Sequence, residues 1–536
     1  MTCKSVLIGL DGATFSILDP LMAQGILPFL KSFNDSGVRA ELRSVVPPLT
    51  PPAWTSLMTG RSPGYHGIFD FFQRDSPGSP QIRLATSKDV RCEAIWSIAN
   101  RQGLRATVLN FPVTFPPPTL DGCVISGWMP WRQLRLGCHP ADLYDRLKAL
   151  PGFNARELAM DMDLEAKATE GCPEDEYTAW IELHIRREGH WLDVLRYLTQ
   201  VEPSELTAIL FDGPDKIQHL CWRFLDPALW PANPTPREQT VRDLCLDYFR
   251  HLDRLLADVV AMAGAEATIV IASDHGFGGT TEVFHVNAWL EQAGYLTWSN
   301  QAKFDGQKPG TLGMGHLARH MQWLDWEHTA AYASTPTSNG IHIVQTQQDG
   351  RNGIPPEKYE QFRDELINAL GSFVDLATGE PIVSRLWTRE EAFAGPAMPL
   401  APDLTLALRD GGLVSILPSD LPLRPRPKPA GAHRPTGIFL ANGPGLRRGM
   451  TVPELSILDV APTLLYSLGL AIPEDLEGRV PLEMFEPAYR SRRPIQIAPS
   501  SSAKGRQASG PKVETIYDEE AQAVMLARLR DLGYLE

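Results

Sequence analysis

Acids and histidines gather at the ends of three apolar runs. VLIGL (6–10) is followed by Asp11 and Gly12, TAILFDGPD (207–215) ends in Asp215, and ATIVIASDHGFGG (267–279) carries Asp274 and His275. Asp215 and His219 stand four apart in GPDKIQHL, so on a helix begun there both side chains face one way, as a chelating pair must. Asp274 and His275 are neighbours at a strand end, where a turn can aim both at one rim. Carboxylates and imidazoles without thiolates suit Zn, with Mn, Fe or Co as alternatives. Singly each residue has a plainer reading, since an Asp at a strand end often caps the next helix and the His after it is often only a hydrogen-bonded polar residue. Jointly they point to metal chemistry, because three strand ends carry acids and two of these also carry an imidazole.

Thr50 is the second chemical candidate, in VVPPLTPPAWTSLMTGRSPGYHGIF (45–69). Its hydroxyl can cap a helix whose first turn holds Pro51 and which stops at Gly60. In the other reading the hydroxyl is a nucleophile, stabilised as an alkoxide by the helix N-terminus. Pro51 and Pro52 have no amide hydrogen, so that N-terminus offers few donors and metal ions must carry most of the charge.

Apolar runs alternating with amphipathic helices imply an α/β fold, with a mostly parallel sheet covered on both faces and ligands beyond the carboxyl ends of its strands. A helix is expected from roughly Ile17 to Gly37. A helix and strand follow over 92–110, and another strand in CVISGW (123–128). Two stretches, about 131–200 and 290–400, read as cap regions inserted into a catalytic domain spanning 1–495. Between them an amphipathic helix covers 240–264, and NAWLEQAGYL is expected to be capped by Asn287. RPRPKP (424–429) reads as a stiff surface loop leading to His433 and a strand, GIFLA. Residues 496–513 read as a flexible linker and 514–536 as an amphipathic helix that docks on the core or mediates self-association.

The 536 residues hold 50 Lys and Arg against 64 Asp and Glu, a net charge of -14. Such a surface repels nucleic acid and anionic membrane, so neither is expected as a partner, and a phosphate-bearing ligand needs a local positive centre. The apolar run before Asp11 is too short for a signal peptide and no run of 18 or more apolar residues follows, so a cytoplasmic location is expected. Seven cysteines without a CxxC pair read as reduced thiols.

Asp11 after the first strand, TPPAWTSLMTGRSPGYHGI, PDKIQH, SDHGF and GAHRPTGIFLANGPG together resemble the type I phosphodiesterase and nucleotide pyrophosphatase family of the alkaline phosphatase superfamily, over roughly residues 6–465. The resemblance implies an alkaline-phosphatase-like core with two divalent ions, most simply zinc. Asp11, Asp274 and His275 would hold one ion, which Thr50 would reach as nucleophile. Asp215, His219 and His433 would hold the other. Two ions about 4 Å apart clamp the attacking and leaving oxygens of an in-line displacement. The implied activity is hydrolysis of small phosphoric esters, diesters first, through a phosphothreonine intermediate. Within the superfamily, phosphomonoesterase, phosphomutase and phosphonate hydrolase are the alternatives, and a sulfatase is disfavoured because no C/S-x-P-x-R motif is present. A catalytically silent binding or regulatory protein is the alternative of another class, set against the presence of all six ligands and the threonine. Ala53 stands where the resemblance leads one to expect an Asn contacting a phosphoryl oxygen, so nucleotide specificity is not implied; Lys216 is one candidate substitute. His66 and His285 read as structural.

Overall fold

Ser5–Leu10 (β1) is buried along its whole length, and its side chains alternate between two apolar clusters, Val6, Ile8 and Leu10 entering one and Leu7 the other. A strand buried on both faces belongs in the middle of a sheet, and that is its place in the computed structural model. The structure describes residues 3–500 except 75, 77–78, 80–81, 162, 166–176, 300–320 and 347–352, together with Tyr517, Gln522 and Val524.

The central sheet comprises β1, Val38–Arg43 (β2), Ala106–Leu109 (β3), Gly122–Ile125 (β4), Cys138–His139 (β5), Leu206–Phe211 (β6), Thr268–Ala272 (β7), Thr436–Asn442 (β8) and Met450–Thr451 (β9). Their order is β9-β2-β8-β7-β1-β6-β3-β4-β5, with Leu455–Ser456 also beside β2. Pairing is parallel from β7 through β1, β6 and β3 to β4. Only β8 and β5 run against their neighbours. The sheet is therefore mostly parallel, as expected.

Helices cover both faces. Thr50–Thr59 (α1) and Val460–Leu468 pack against the Leu7 face, whereas Thr178–Val201, Gly213–Leu225 (α2) and Pro236–Ala263 pack against the Ile8 face. A Cβ on Gly9 would lie 2.6 Å from the Trp54 ring and 2.5 Å from Leu210 Cδ1, so glycine there lets α1 sit directly on β1 and β6. Pro236–Ala263 starts four residues before the expected boundary because Thr235 and Glu238 form a capping box.

Three local expectations are corrected. The helix expected over Ile17–Gly37 is two helices, Phe15–Ala23 and Pro28–Ser36, parted at Gly25, whose φ of +73° and the following Pro28 end the first helix and start the second. Asn287 is not a cap, because the helix Val286–Gln292 begins before it. Its buried amide instead bonds the backbone of Ala333 and Ile416. RPRPKP lies within the strand Leu423–Arg434, antiparallel to Gly276–His285, where Pro425 faces Glu282 beside an irregularity in the register.

Within 290–400, Ala331–Tyr332, Gly340–Ile343 and Val383–Thr388 form a four-stranded sheet with Leu404–Leu408. The linker expected over 496–513 is described only to residue 500, and Ile497–Ala498 there pairs with Ile472–Pro473. The helix expected over 514–536 lies outside the described residues except at Tyr517, Gln522 and Val524. Among the described residues no helix is long and apolar enough to cross a membrane, and the six described cysteines are free.

Candidate active site

The three neighbouring strands β7, β1 and β6 end on one rim. Asp11 follows β1 directly, Asp274 lies two residues past β7, and α2 begins two residues past β6, carrying Asp215 and His219 one turn apart; all four side chains are buried. His433 arrives from the antiparallel strand, where it faces Phe277. Its Nε2 lies 3.2 Å from Asp215 Oδ1 and 3.1 Å from His219 Nε2, and His219 Nε2 is 3.3 Å from Asp215 Oδ1. His275 Nε2 lies 3.1 Å from Asp274 Oδ2 and 3.7 Å from Asp11 Oδ1, and its ring stacks on His433 at 3.5 Å. All six sequence-proposed ligands and Thr50 thus meet in one place. The ligand-capable atoms form two groups, Asp11 with Asp274 and His275, and Asp215 with His275 and His433, each within 4.8 Å. His275 therefore stands between the two sets, which the sequence kept apart.

The ring orientations are set from behind. His275 Nδ1–H donates to Gly276 O at 3.1 Å and His433 Nδ1–H to Pro48 O at 2.9 Å, which leaves both Nε2 lone pairs turned into the cluster. The lone pair of His433 then faces a carboxylate oxygen at contact distance, an arrangement that calls for a cation or a proton between them. Both oxygens of Asp11, Oδ2 of Asp215 and Oδ2 of Asp274 are buried and accept no hydrogen bond among the described residues. Three buried carboxylates with four such oxygens are costly without positive charge. Burial, then neighbouring carboxylates, push the Asp11 carboxyl well above the usual range; burial does the same to Asp274, with Asp215 adding to it. Burial alone would raise Asp215 too, but the His219 and His433 imidazoles hold it well below that range. Burial pushes His275 well down and His433 down, which favours the neutral form of each ring that can ligate. Donor chemistry, orphaned oxygens and ring tautomers all fit divalent cations.

Thr50 opens α1, yet its hydroxyl makes no capping bond, and Leu49 takes the N-cap position. Instead Thr50 Oγ1 lies 3.3 Å from His275 Nε2, placed to donate to it. The cap reading is therefore set aside. Gly60 does stop the helix, with φ +65°. Ala53 belongs to the apolar cluster with Leu7 and Val270, so a side chain at 53 faces the core and the expected phosphoryl contact has no place there. Lys216 is buried in an ion pair with Asp212. His66 is fully buried: its Nδ1 accepts from the Ile68 N–H, its Nε2 lies 2.9 Å from Ser56 Oγ on α1, and burial pushes its pKa down to about 3. His285 stands at the N-cap position of the helix Val286–Gln292 without a side-chain capping bond, at the far end of its strand from Phe277.

Glu188 escaped the sequence reading. It lies on Thr178–Val201, and its Oε1 accepts from the Gly213 N–H at 2.9 Å and the Tyr248 hydroxyl at 2.8 Å. It thereby fixes the first turn of α2, which carries two proposed ligands. Its spacing was the available signal, for it follows Ile181 by seven and precedes Trp191 by three, on the buried face of a helix.

The family model described as type I phosphodiesterase / nucleotide pyrophosphatase matches residues 5–433, a span from the start of β1 to the last proposed ligand. The chain belongs to that family. Family membership makes it a hydrolase of phosphoric ester bonds, and its ligand clusters fit divalent metal ions. Two solved structures share its fold. Phosphonoacetate hydrolase from Sinorhizobium meliloti 1021, in complex with phosphonoformate, matches with a TM-score of 0.50 at 16% identity, over 87% of this chain and 95% of that one. Murine ectonucleotide pyrophosphatase / phosphodiesterase 5 matches with a TM-score of 0.50 at 16% identity, over 90% of this chain and 100% of that one. No curated protein sequence matches the chain.

Proposed function

We propose that the chain hydrolyses small phosphate diesters through a phospho-Thr50 intermediate at a site for two divalent ions, with zinc preferred over Mn, Fe or Co. The observation that carries this reading is the Thr50 hydroxyl, free of any cap and 3.3 Å from His275 Nε2 beside buried, unsatisfied carboxylates. When bound, the ions supply Lewis acidity and positive charge to the attacking and leaving oxygens. Thr50 Oγ1 attacks phosphorus, the Oγ1–P bond forms as the P–O bond to the leaving alcohol breaks, and the threonine proton passes through solvent to that alcohol. Water then cleaves the P–Oγ1 bond and restores the hydroxyl. His275 and His433, locked from behind by Gly276 and Pro48, hold their Nε2 atoms towards this centre, and Glu188 keeps the start of α2 in register with it.

Acid quenching during turnover of a chromogenic diester, followed by peptide mass spectrometry, tests the reading. The phosphoryl group, still carrying the second ester substituent of the diester, is expected on the peptide containing Thr50; an unmodified peptide at full turnover would mean that water attacks directly. Running the matching monoester and phosphonoacetate alongside separates diesterase from phosphatase and phosphonate hydrolase. A cytoplasmic location and self-association through residues 514–536 belong to the same proposal, and cell fractionation and size-exclusion chromatography of a chain ending at residue 500 test them in turn.

A further inference from the structure

A second pocket, of about 200 Å³, lies between the strand Phe72–Arg74 and the four-stranded sheet. It is larger than the roughly 150 Å³ cavity that holds a benzene, and none of its lining residues is a proposed ion ligand. Tyr332 and His342 reach it from adjacent strands, Arg74 from the segment that follows α1, and Arg389 and Asp403 from either side of the turn before Leu404–Leu408. Trp326 packs edge-on against Tyr332 at 5.1 Å and completes an aromatic wall.

The charges in this pocket do not cancel. Arg389 pairs with Asp403, whose carboxylate also accepts from the Tyr359 hydroxyl and from the Ile343 N–H at 2.8 Å. Asp403 is thus fully engaged. Arg74 Nη2 and Arg389 Nε are buried and have no hydrogen-bond partner among the described residues, while the Arg74 guanidinium lies 5.6 Å from the Tyr332 ring centroid. Buried N–H groups left unpaired carry a desolvation cost that a matching acceptor removes, and the guanidinium fork matches phosphate and carboxylate oxygens. His342 is only 7% exposed, and burial, then the Arg74 and Arg389 charges, hold its pKa well below the usual value. Arg74, Arg389 and His342 all line the cavity.

We infer that this pocket is a second anion site, which takes the phosphate or carboxylate group of a small molecule between Arg74, Arg389 and His342, apart from the metal centre. Equilibrium dialysis of the metal-loaded protein against inorganic phosphate tests it. Two saturable sites per chain are expected. One is lost with EDTA, and the other survives EDTA but is weakened at least tenfold by Arg74→Gln, with ester hydrolysis unchanged. Among the described residues the Arg74 side chain makes no hydrogen bond, so this variant is expected to fold; His342→Gln, approached from another strand, gives an independent check. Displacement of the EDTA-resistant phosphate by a phosphate monoester assigns the site to phosphate groups, and displacement by acetate assigns it to carboxylates. Loss of all phosphate binding with EDTA, or binding in both variants equal to wild type, would overturn the inference. A missing EDTA-sensitive site would count instead against the metal centre.

Discussion

Glu188→Gln should make the protein more stable as the pH rises, although it removes a buried carboxyl beside the helix that carries two proposed ligands. Burial, with Asp212 adding to it, raises the Glu188 pKa from 4.5 to about 8, so the carboxyl is protonated in the folded protein at neutral pH. Its Oε1 takes the Gly213 N–H and the Tyr248 hydroxyl, and its Oε2 has no hydrogen-bond partner among the described residues. Gln keeps the first oxygen and places an N–H where the acid carries its O–H, so both side chains leave a donor unpaired and the local bonding is matched. The difference lies in the unfolded chain, where Glu ionises above its ordinary value and Gln cannot. A raised folded pKa contributes stability that is fully present below pH 4.5 and is lost as pH rises towards the folded value of about 8. At about 1.4 kcal/mol per unit, the wild type gives up roughly 3 kcal/mol by neutral pH and at most about 5 kcal/mol above the folded pKa. Gln gives up none of it. Thermal or urea unfolding of both proteins on either side of this window is the assay, with metal content measured in parallel because the start of α2 should not move. The two stability curves should coincide in acid and diverge through neutrality in favour of Gln. Curves that stay parallel would show Glu188 ionised in the folded protein and sink the reasoning.

Two further outcomes follow from the same geometry. Stripping the ions with EDTA should lower Tm more in mildly alkaline than in mildly acidic buffer, because the raised Asp11 and Asp274 carboxyls stabilise the ion-free fold only while protonated; a gap independent of pH would contradict this. Gly9→Ala should cost about 1–3 kcal/mol, since its Cβ would overlap Trp54 and Leu210 and push α1 off β1, and activity should fall with stability because Thr50 rides on that helix. Unfolding curves and turnover of the variant check both parts.

Much of the site was legible because its chemistry sits at strand ends, where residue type and spacing report position. Asp11, Asp215 with His219, and Asp274 with His275 could be read from apolar runs that stop at acids, and the structure sets their strands side by side. What could not be read depends on side-chain direction. A threonine before two prolines fits a cap as well as a nucleophile, and only the path of its hydroxyl to His275 separates the two. The helix-spaced face of Ala53 and the pairing of RPRPKP with Gly276–His285 likewise depend on packing across the fold. Asn287 misled because a residue that suits a cap also suits a buried amide joining two backbone segments. Arg74 and Arg389 are 315 positions apart in sequence, so no local pattern could bring them to one pocket.

The central claim, that Thr50 is a nucleophile, is tested most directly by Thr50→Ala assayed on a chromogenic diester with metal content measured on the same sample. The account predicts an intact fold, two ions per chain and a loss of several orders of magnitude in rate, with Thr50→Ser keeping part of the activity through its hydroxyl. An Ala variant that holds its ions and turns over at the wild-type rate would contradict it.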